Sequence, residues 1–257
     1  MSGKPTFEEL VAEGDAVSLD GWDFSWFAGR ATEERPPWGY AGLMTRRLGR
    51  AEAVLDIQTG GGEVTANALL RSERRPGVLA ATESWPPNAE LARAALAPFG
   101  GTVHLIGDEA DLPFAGASFD LVISRHPTVA LWPEIARVLR PGGSYFSQQI
   151  GAGTNRELTD FMMGPQPVDP GRSTAVALSQ AQQAGLEVTD LREQALKVEF
   201  FDVAAVVHFL RKVLWTVPGF TVGGYAGPLR QMHEYIQAHG SFVSYSQRFL
   251  IDARKAA

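Results

Sequence analysis

The segment Val54-Leu55-Asp56-Ile57-Gln58-Thr59-Gly60-Gly61-Gly62-Glu63 joins a short apolar run to three consecutive glycines, and a helix-like stretch from Val64 to Leu70 follows. A strand that ends in Asp56 and turns through Gly60-Gly61-Gly62 puts bare backbone at the carboxyl edge of a parallel sheet, where such sheets bind ligands. Glycine suits that place because a side chain would block the close approach of a ligand, and because tight turns often need positive φ. The segment therefore asks for a parallel sheet with helices on both faces.

The rest of the chain supplies one. Short β-rich runs recur at Val54 to Ile57, Val78 to Thr82, Val103 to Ile106, Asp120 to Ser124 and Ser144 to Ile150, separated by helix-like stretches. Several are apolar almost throughout, as strands covered on both faces must be. Asn88 is placed to cap a helix through Leu91, Ala95 and Leu96, and a second helix is readable from Pro133 to Leu139, closed by Arg140-Pro141-Gly142-Gly143. Beyond residue 150 a surface loop is expected at Gly164 to Gly171. A helix follows from Ala175 to Ala184, then a strand from Leu186 to Leu191, an amphipathic helix from Asp202 to Trp215 and a last strand from Phe242 to Ala253. Trp215 to Gly240 shows no clear period and reads as an excursion. These patterns predict an N-terminal cap over residues 1–50, rich in Trp22, Trp26, Phe27, Trp38 and Tyr40, then one domain over 51–257 with an insertion at about 202–240.

Composition removes several chemistries. The 257 residues hold no cysteine, so disulfides, thiolate metal sites and cysteine nucleophiles are excluded. A formal charge of -6 argues against nucleic acid as partner, because phosphate binding relies on a basic footprint. No apolar run reaches a membrane-spanning length, and Glu8, Glu9, Glu13 and Asp15 are unlike a cationic signal peptide, so a cytoplasmic location is expected. The five histidines show no paired spacing with carboxylates, which predicts no metal.

Three further elements follow the glycine turn in order. Glu83 ends the second run, where a carboxylate can accept both hydroxyls of a ribose. Gly107-Asp108-Glu109-Ala110 follows the third, and an acid there can accept from an adenine amino group. Ser124, Arg125, His126 and Pro127 close the fourth. Together these elements resemble the class I S-adenosylmethionine-dependent methyltransferases, and more narrowly the methyltransferase type 11 group, over residues from about 50 to 150. Arg137 to Gly143 looks like the turn these enzymes carry before their fifth strand. The resemblance implies an α/β, Rossmann-like, doubly wound sheet of seven strands, mostly parallel with the last antiparallel. It implies S-adenosyl-L-methionine as cofactor and S-adenosyl-L-homocysteine as product. Asp56, Gly60 and Gly62 would bind its amino acid end, Glu83 its ribose, and Asp108, with Glu109 beside it, its adenine. The sequence departs from the family at Gln58, which stands where the first glycine is usual.

Methyl transfer is an in-line displacement, so the protein must align the acceptor and, for a poor nucleophile, remove its proton. His126 is the candidate base, with a packing role as the alternative. Arg125 is a candidate partner for a carboxylate of cofactor or substrate, or else a surface ion pair. His208 and Arg211 share a turn of an apolar helix, where a histidine is more often a packing residue. One of Gln148 and Gln149 should face the cleft, because strand side chains alternate. Trp26 and Trp38 are read either as a lid over an apolar substrate or as anchors held by burial.

The leading functional expectation is methylation of a small molecule, with oxygen ahead of nitrogen or carbon as acceptor by analogy. A noncatalytic binder of the same fold is the alternative that Gln58 motivates. A nicotinamide-dependent oxidoreductase ranks lower, since counting on from Gly60 and Gly62 meets Thr65 and leaves the dinucleotide fingerprint incomplete.

Overall fold

A computed structural model describes residues 5–19 and 24–257; Trp22 lies outside the described residues. The strands are β1 (Ala31–Glu33), β2 (Ala53–Asp56), β3 (Val78–Glu83), β4 (Thr102–Leu105), β5 (Phe119–Arg125), β6 (Leu139–Ile150), β7 (Leu186–Phe200) and β8 (Phe242–Lys255). The α-helices are α1 (Phe7–Ala16), α2 (Tyr40–Leu48), α3 (Glu63–Leu70), α4 (Pro86–Leu96), α5 (Trp132–Val138), α6 (Arg156–Met163), α7 (Thr174–Gln183), α8 (Val203–Lys212) and α9 (Ala226–His239). They form two compact units: described residues up to 35 with 153–169 and 195–247, and residues 36–152 with 170–194 and 248–257.

In the second unit the strand order is β7-β8-β6-β5-β2-β3-β4. The pairs β2–β3, β2–β5, β3–β4 and β5–β6 are parallel, and β8 runs antiparallel to β6 with Ser144 opposite Arg254. Successive strand side chains point to opposite faces, which sorts the apolar residues into two cores. Leu55, Val122, Tyr145 and Ile251 pack on one face with Ile135 of α5 and Ala181 of α7. Their chain neighbours Val54, Leu121, Phe146 and Leu250 pack on the other with Leu48 of α2, Leu69 of α3 and Leu96 of α4. From β2 the chain winds outward through β3 and β4, then returns to lay β5 on the opposite side of β2. The reversal opens a crevice at the carboxyl ends of β2 and β5, the place where open α/β sheets take ligands.

In the first unit, α8 is buried almost all round and packs with residues of α1, α6 and α9, including Leu10, Leu158 and Ile236. A capping box starts α1, with Thr6 accepting from the N–H of Glu9 and Glu9 accepting from the N–H of Thr6. Gly14 lets α1 approach α8, since a Cβ there would lie 2.4 Å from the Ala204 carbonyl oxygen. Asp202 caps α8 by accepting from the N–H of Ala205 at 2.8 Å. β1 pairs antiparallel with the end of β7, Ala31 opposite Phe200.

The expected α/β sheet is present, mostly parallel and with β8 antiparallel, but it has eight strands, not seven, because Ala31–Glu33 adds to β7. Asn88 does not cap its helix. Trp85 holds that place, with Pro86 and Pro87 in the first turn, where a missing N–H costs nothing, and Asn88 is buried inside. The stretch read as an excursion contains the fourteen-residue helix α9, anchored by the buried Leu229, Met232 and Ile236. Residues 36–50 group with the sheet and 202–240 group with the N-terminal residues, a different partition from a cap over 1–50. The reason is α2, whose Tyr40, Met44 and Leu48 are buried in the sheet's core.

Candidate functional site

The glycine turn is built from its own side chains. Asp56 is buried at the end of β2, and its carboxylate accepts from the hydroxyls of Thr59 and Thr65, both at 2.5 Å. Burial raises its pKa to about 6, against the opposing pull of those two hydroxyls. Asp56 thus ties the turn to the first helical residues of α3. Gly60 and Gly62 both have positive φ, at 65° and 75°. At Gly62 a Cβ would also lie 3.1 Å from the Ala92 Cα, so that glycine sets how closely α3 and α4 pack. A Cβ on Gly60 would meet nothing within 4 Å, so the turn is open there.

Glu83, at the end of β3, reaches back to this turn. Its carboxylate accepts from the N–H of Gly60 at 2.8 Å and from those of Ser84 and Trp85 at 3.0 Å. Burial pushes its pKa up, while the three backbone N–H groups work in the opposite direction. A carboxylate has about four acceptor positions, so roughly one remains for a ligand hydroxyl. Glu83 and Asp108 stand on a cleft walled by Ile57, Ile106, Leu112 and Leu131. Glu109 is exposed and is not part of that wall. Apolar walls with carboxylates at the margin fit a flat nucleobase bearing an amino group and a sugar bearing hydroxyls. The enclosed space is only about 10 Å³, room for about one water.

Gln58 accounts for part of that closure. Its φ is 56°, in the left-handed region that disfavours side chains, at a cost of roughly 1–2 kcal/mol. Its backbone N–H donates to the Thr82 hydroxyl at 3.1 Å. Its side chain bridges to the loop after β5, donating from Nε2 to the Val129 carbonyl at 2.9 Å and accepting the Thr128 N–H at 2.5 Å.

His126, also at positive φ (55°), sits at the top of β5 and donates its backbone N–H to the Gln148 carbonyl at 2.7 Å. The indole N–H of Trp38, which can only donate, gives its hydrogen to Gln148 Oε1 at 2.8 Å. That fixes the amide, so the NH₂ of Gln148 faces His126 Nε2 at 3.0 Å. Nε2 must therefore accept, which places the imidazole proton on Nδ1. Burial first, then Arg125 and Arg248, hold the His126 pKa well below the ordinary value of 6.5. In this arrangement His126 is a neutral ring whose Nε2 lone pair is already used. Arg125 is exposed at the end of β5. Tyr40 donates to the Ser124 carbonyl at 2.9 Å below this corner.

On the far side of the same loop lies a second cavity, of about 190 Å³, lined by residues 127–130, by Gln149 and by the residues leading into α7. Arg172 is the charged residue of its lining and donates to the Thr128 carbonyl at 3.2 Å.

Gln148 and Gln149 do divide as alternation demands: Gln148 is buried against Trp38 and His126, and Gln149 faces the second cavity. Trp38 is an anchor held by burial. Trp26 packs in the first unit, where its ring meets His208 edge-on at 5.1 Å, and Phe27 stacks on that histidine at 5.0 Å. His208 is a packing residue. Arg211 donates to the carbonyls of Gly14 and Val17, both at 3.0 Å. One pair beside the cleft escaped the sequence reading. Glu134 accepts the Leu112 N–H at 2.8 Å, and Arg137 donates to the Leu112 and Phe114 carbonyls at 2.9 and 2.7 Å, so α5 grips the loop that walls the cleft. Their i,i+3 spacing on a helix was the available signal. Among the described residues no helix is long and apolar enough to cross a membrane, and no histidine and carboxylate cluster could hold a metal.

Residues 55–147 match a family model described as a methyltransferase domain. Among solved structures, the chain is similar to a proposed methyltransferase from Bacillus halodurans C-125, with a TM-score of 0.57, 18% identity, and 80% of this chain and 93% of that one covered. It is similar to the YcgJ protein of Bacillus subtilis, with a TM-score of 0.56, 17% identity, and coverages of 85% and 98%. A geranyl diphosphate methyltransferase in complex with geranyl diphosphate and sinefungin gives a TM-score of 0.51 at 15% identity, with coverages of 84% and 77%. These likenesses are of fold. No curated protein matches the chain at a significant level.

Proposed function

We propose that this chain is a class I S-adenosylmethionine-dependent methyltransferase and that it methylates a small molecule, at oxygen ahead of nitrogen or carbon. The observation that carries the reading is the bond between Glu83 and the N–H of Gly60. It joins the acid at the end of β3 to the glycine turn at the end of β2, the two features that a nucleoside spanning the crevice would need together.

The donor set fits S-adenosylmethionine in kind. Glu83 would accept from the ribose with its remaining lone pair, and Asp108 from the adenine amino group, between the side chains of Ile106, Leu112 and Leu131. Gly60 and Gly62 let backbone approach the amino acid end, and Asp56 holds the turn from beneath. When bound, the cofactor supplies a sulfonium methyl group open to in-line displacement. The narrow space between these walls, with Gln58 and Leu131 in its lining, would have to widen to admit it.

The neutral, already bonded His126 is poorly placed to take a proton. That suits an acceptor from which the protein need not remove a proton, such as a carboxylate or an acidic enol. In this reading His126 and Gln148 set the shape of the loop, and Arg125 stands ready for a negative charge at the strand end. Calorimetric titration with S-adenosylhomocysteine, S-adenosylmethionine and NADH tests the proposal: the first two should bind saturably, and saturable binding of NADH alone overturns it. The Gln58 bridge favours a second reading, a binder of the same fold that no longer transfers methyl groups. Single-turnover release of S-adenosylhomocysteine separates the two.

A further inference from the structure

The cavity of about 190 Å³ beyond the 127–131 loop has features of a substrate site. It shares Thr128 and Val129 with the Gln58 bridge, so one loop separates it from the cleft assigned above to the cofactor. Trp132 and Phe249 are 3% and 1% exposed and form a packed floor beneath it, so the floor is preorganised. In a chain of net charge -6, its lining holds an arginine and no carboxylate. Among the described residues no carboxylate pairs with Arg172, whose hydrogen bond goes to the neutral carbonyl of Thr128. The residues entering α7, including its cap Ser173, lie on the same rim, so the positive end of the helix adds to the arginine's field. Gln149 and Gln180 supply neutral amides. The size suits a small group, being below the roughly 300–1,000 Å³ of pockets for drug-sized ligands.

Resting on the methyl-transfer reading, we propose that this cavity holds the acceptor, and that the acceptor is a small, flat carboxylic acid whose carboxylate lies against Arg172 and whose body lies against Trp132 and Phe249. Arginine matches a carboxylate in both charge and planar geometry, and a neutral isostere loses both. The loop residues Thr128 and Val129 then contact the acceptor on one face and Gln58 on the other, which couples filling of this cavity to opening of the cofactor cleft.

The test uses the full chain and two probes of equal shape, benzoate and benzamide, followed by ligand-observed saturation-transfer NMR. Benzoate should bind at least about tenfold tighter than benzamide. Arg172→Gln should erase that preference and Arg172→Lys should restore part of it; Arg172 is exposed, so both variants should fold. Ala177→Phe, which fills the cavity from α7, should abolish binding of both probes. Equal binding of the two probes, a preference that survives Arg172→Gln, or no binding of benzoate at millimolar concentration overturns the proposal. A parallel titration with S-adenosylhomocysteine keeps the two readings apart. If it binds while benzoate shows no preference, the acceptor site falls and the cofactor cleft stands. If benzoate binds through Arg172 while S-adenosylhomocysteine does not bind, the reverse holds.

Discussion

The side-chain amide of Gln58 accepts the backbone N–H of Thr128 at 2.5 Å, joining the glycine turn to a residue seventy positions later in the chain. With the second bond, to the Val129 carbonyl, it ties the glycine turn to the 127–131 loop, whose Leu131 lines the narrow cleft. A glycine in its place would relieve a left-handed side chain worth roughly 1–2 kcal/mol and forfeit two hydrogen bonds worth about 1 kcal/mol each.

Gln58→Gly should therefore leave global stability within about 1 kcal/mol of wild type, by urea denaturation. It should bind S-adenosylhomocysteine several-fold tighter, because less bridge has to open, and amide exchange across residues 127–131 should quicken. A tenfold loss of affinity in calorimetry would instead make the amide a direct contact to the ligand, and the bridge would not be a gate.

Glu83→Ala removes the acceptor of three backbone N–H groups and the proposed ribose contact. Affinity for S-adenosylhomocysteine should fall by about 1–3 kcal/mol. The isosteric Glu83→Gln keeps one oxygen and should lose less. Unchanged affinity in both variants takes Glu83 out of the binding site.

Asp56 gives a pH prediction with a definite sign. Its pKa is raised from 3.8 to about 6 on folding, so the folded chain holds more protons than the unfolded chain between those values. Stability contributed by this group is then lost as pH rises through the window, by on the order of 3 kcal/mol. Asp56→Asn keeps an oxygen for Thr59 and Thr65 and cannot ionise. Relative to wild type it should gain stability between about pH 4 and 6 and hold that gain at pH 7.5. Parallel denaturation curves across that range would show that Asp56 is not titrating there.

How much of this was legible in the sequence follows from the range of the interactions. β2, β3 and β5 are short, apolar and covered on both faces, and the glycine turn and Glu83 lie at their ends, so local pattern was enough. The positions of Asp56, Glu83 and Asp108 around one crevice follow from strand order. Gln58 stood out as a departure, but its partners could not be read, because they lie on a loop seventy residues away whose path depends on β5 and β6. Asn88 misled because two prolines can occupy the first turn that a polar cap was expected to serve. β1 has three residues and exists through its pairing with β7, which no local pattern encodes. α9 was hidden by the glycines and proline at its start, although Leu229, Met232, His233 and Ile236 carry a helical spacing.

The relay from Trp38 through Gln148 to His126 fixes a protonation state that solution measurements can read. Because the indole N–H must donate, the amide NH₂ faces Nε2, and the ring is held neutral with its pKa well below 6.5. A group with a depressed histidine pKa contributes stability that is complete above the unfolded value and is lost as pH falls toward the folded one. The His126 ring signals should therefore stay those of the Nδ1–H tautomer throughout pH 6 to 8 in NMR, and no limb near 6.5 in a methyl-transfer profile should belong to it. Gln148→Glu changes the sign of the contact: an oxygen would then face Nε2, which must carry a proton to donate to it, and the carboxylate favours the charged ring most. In that variant the His126 pKa should rise above that of the wild type. A histidine that already titrates near 6.5 in the wild type, with no change on Gln148→Glu, would mean that the amide does not donate to it, and His126 would again be a candidate base.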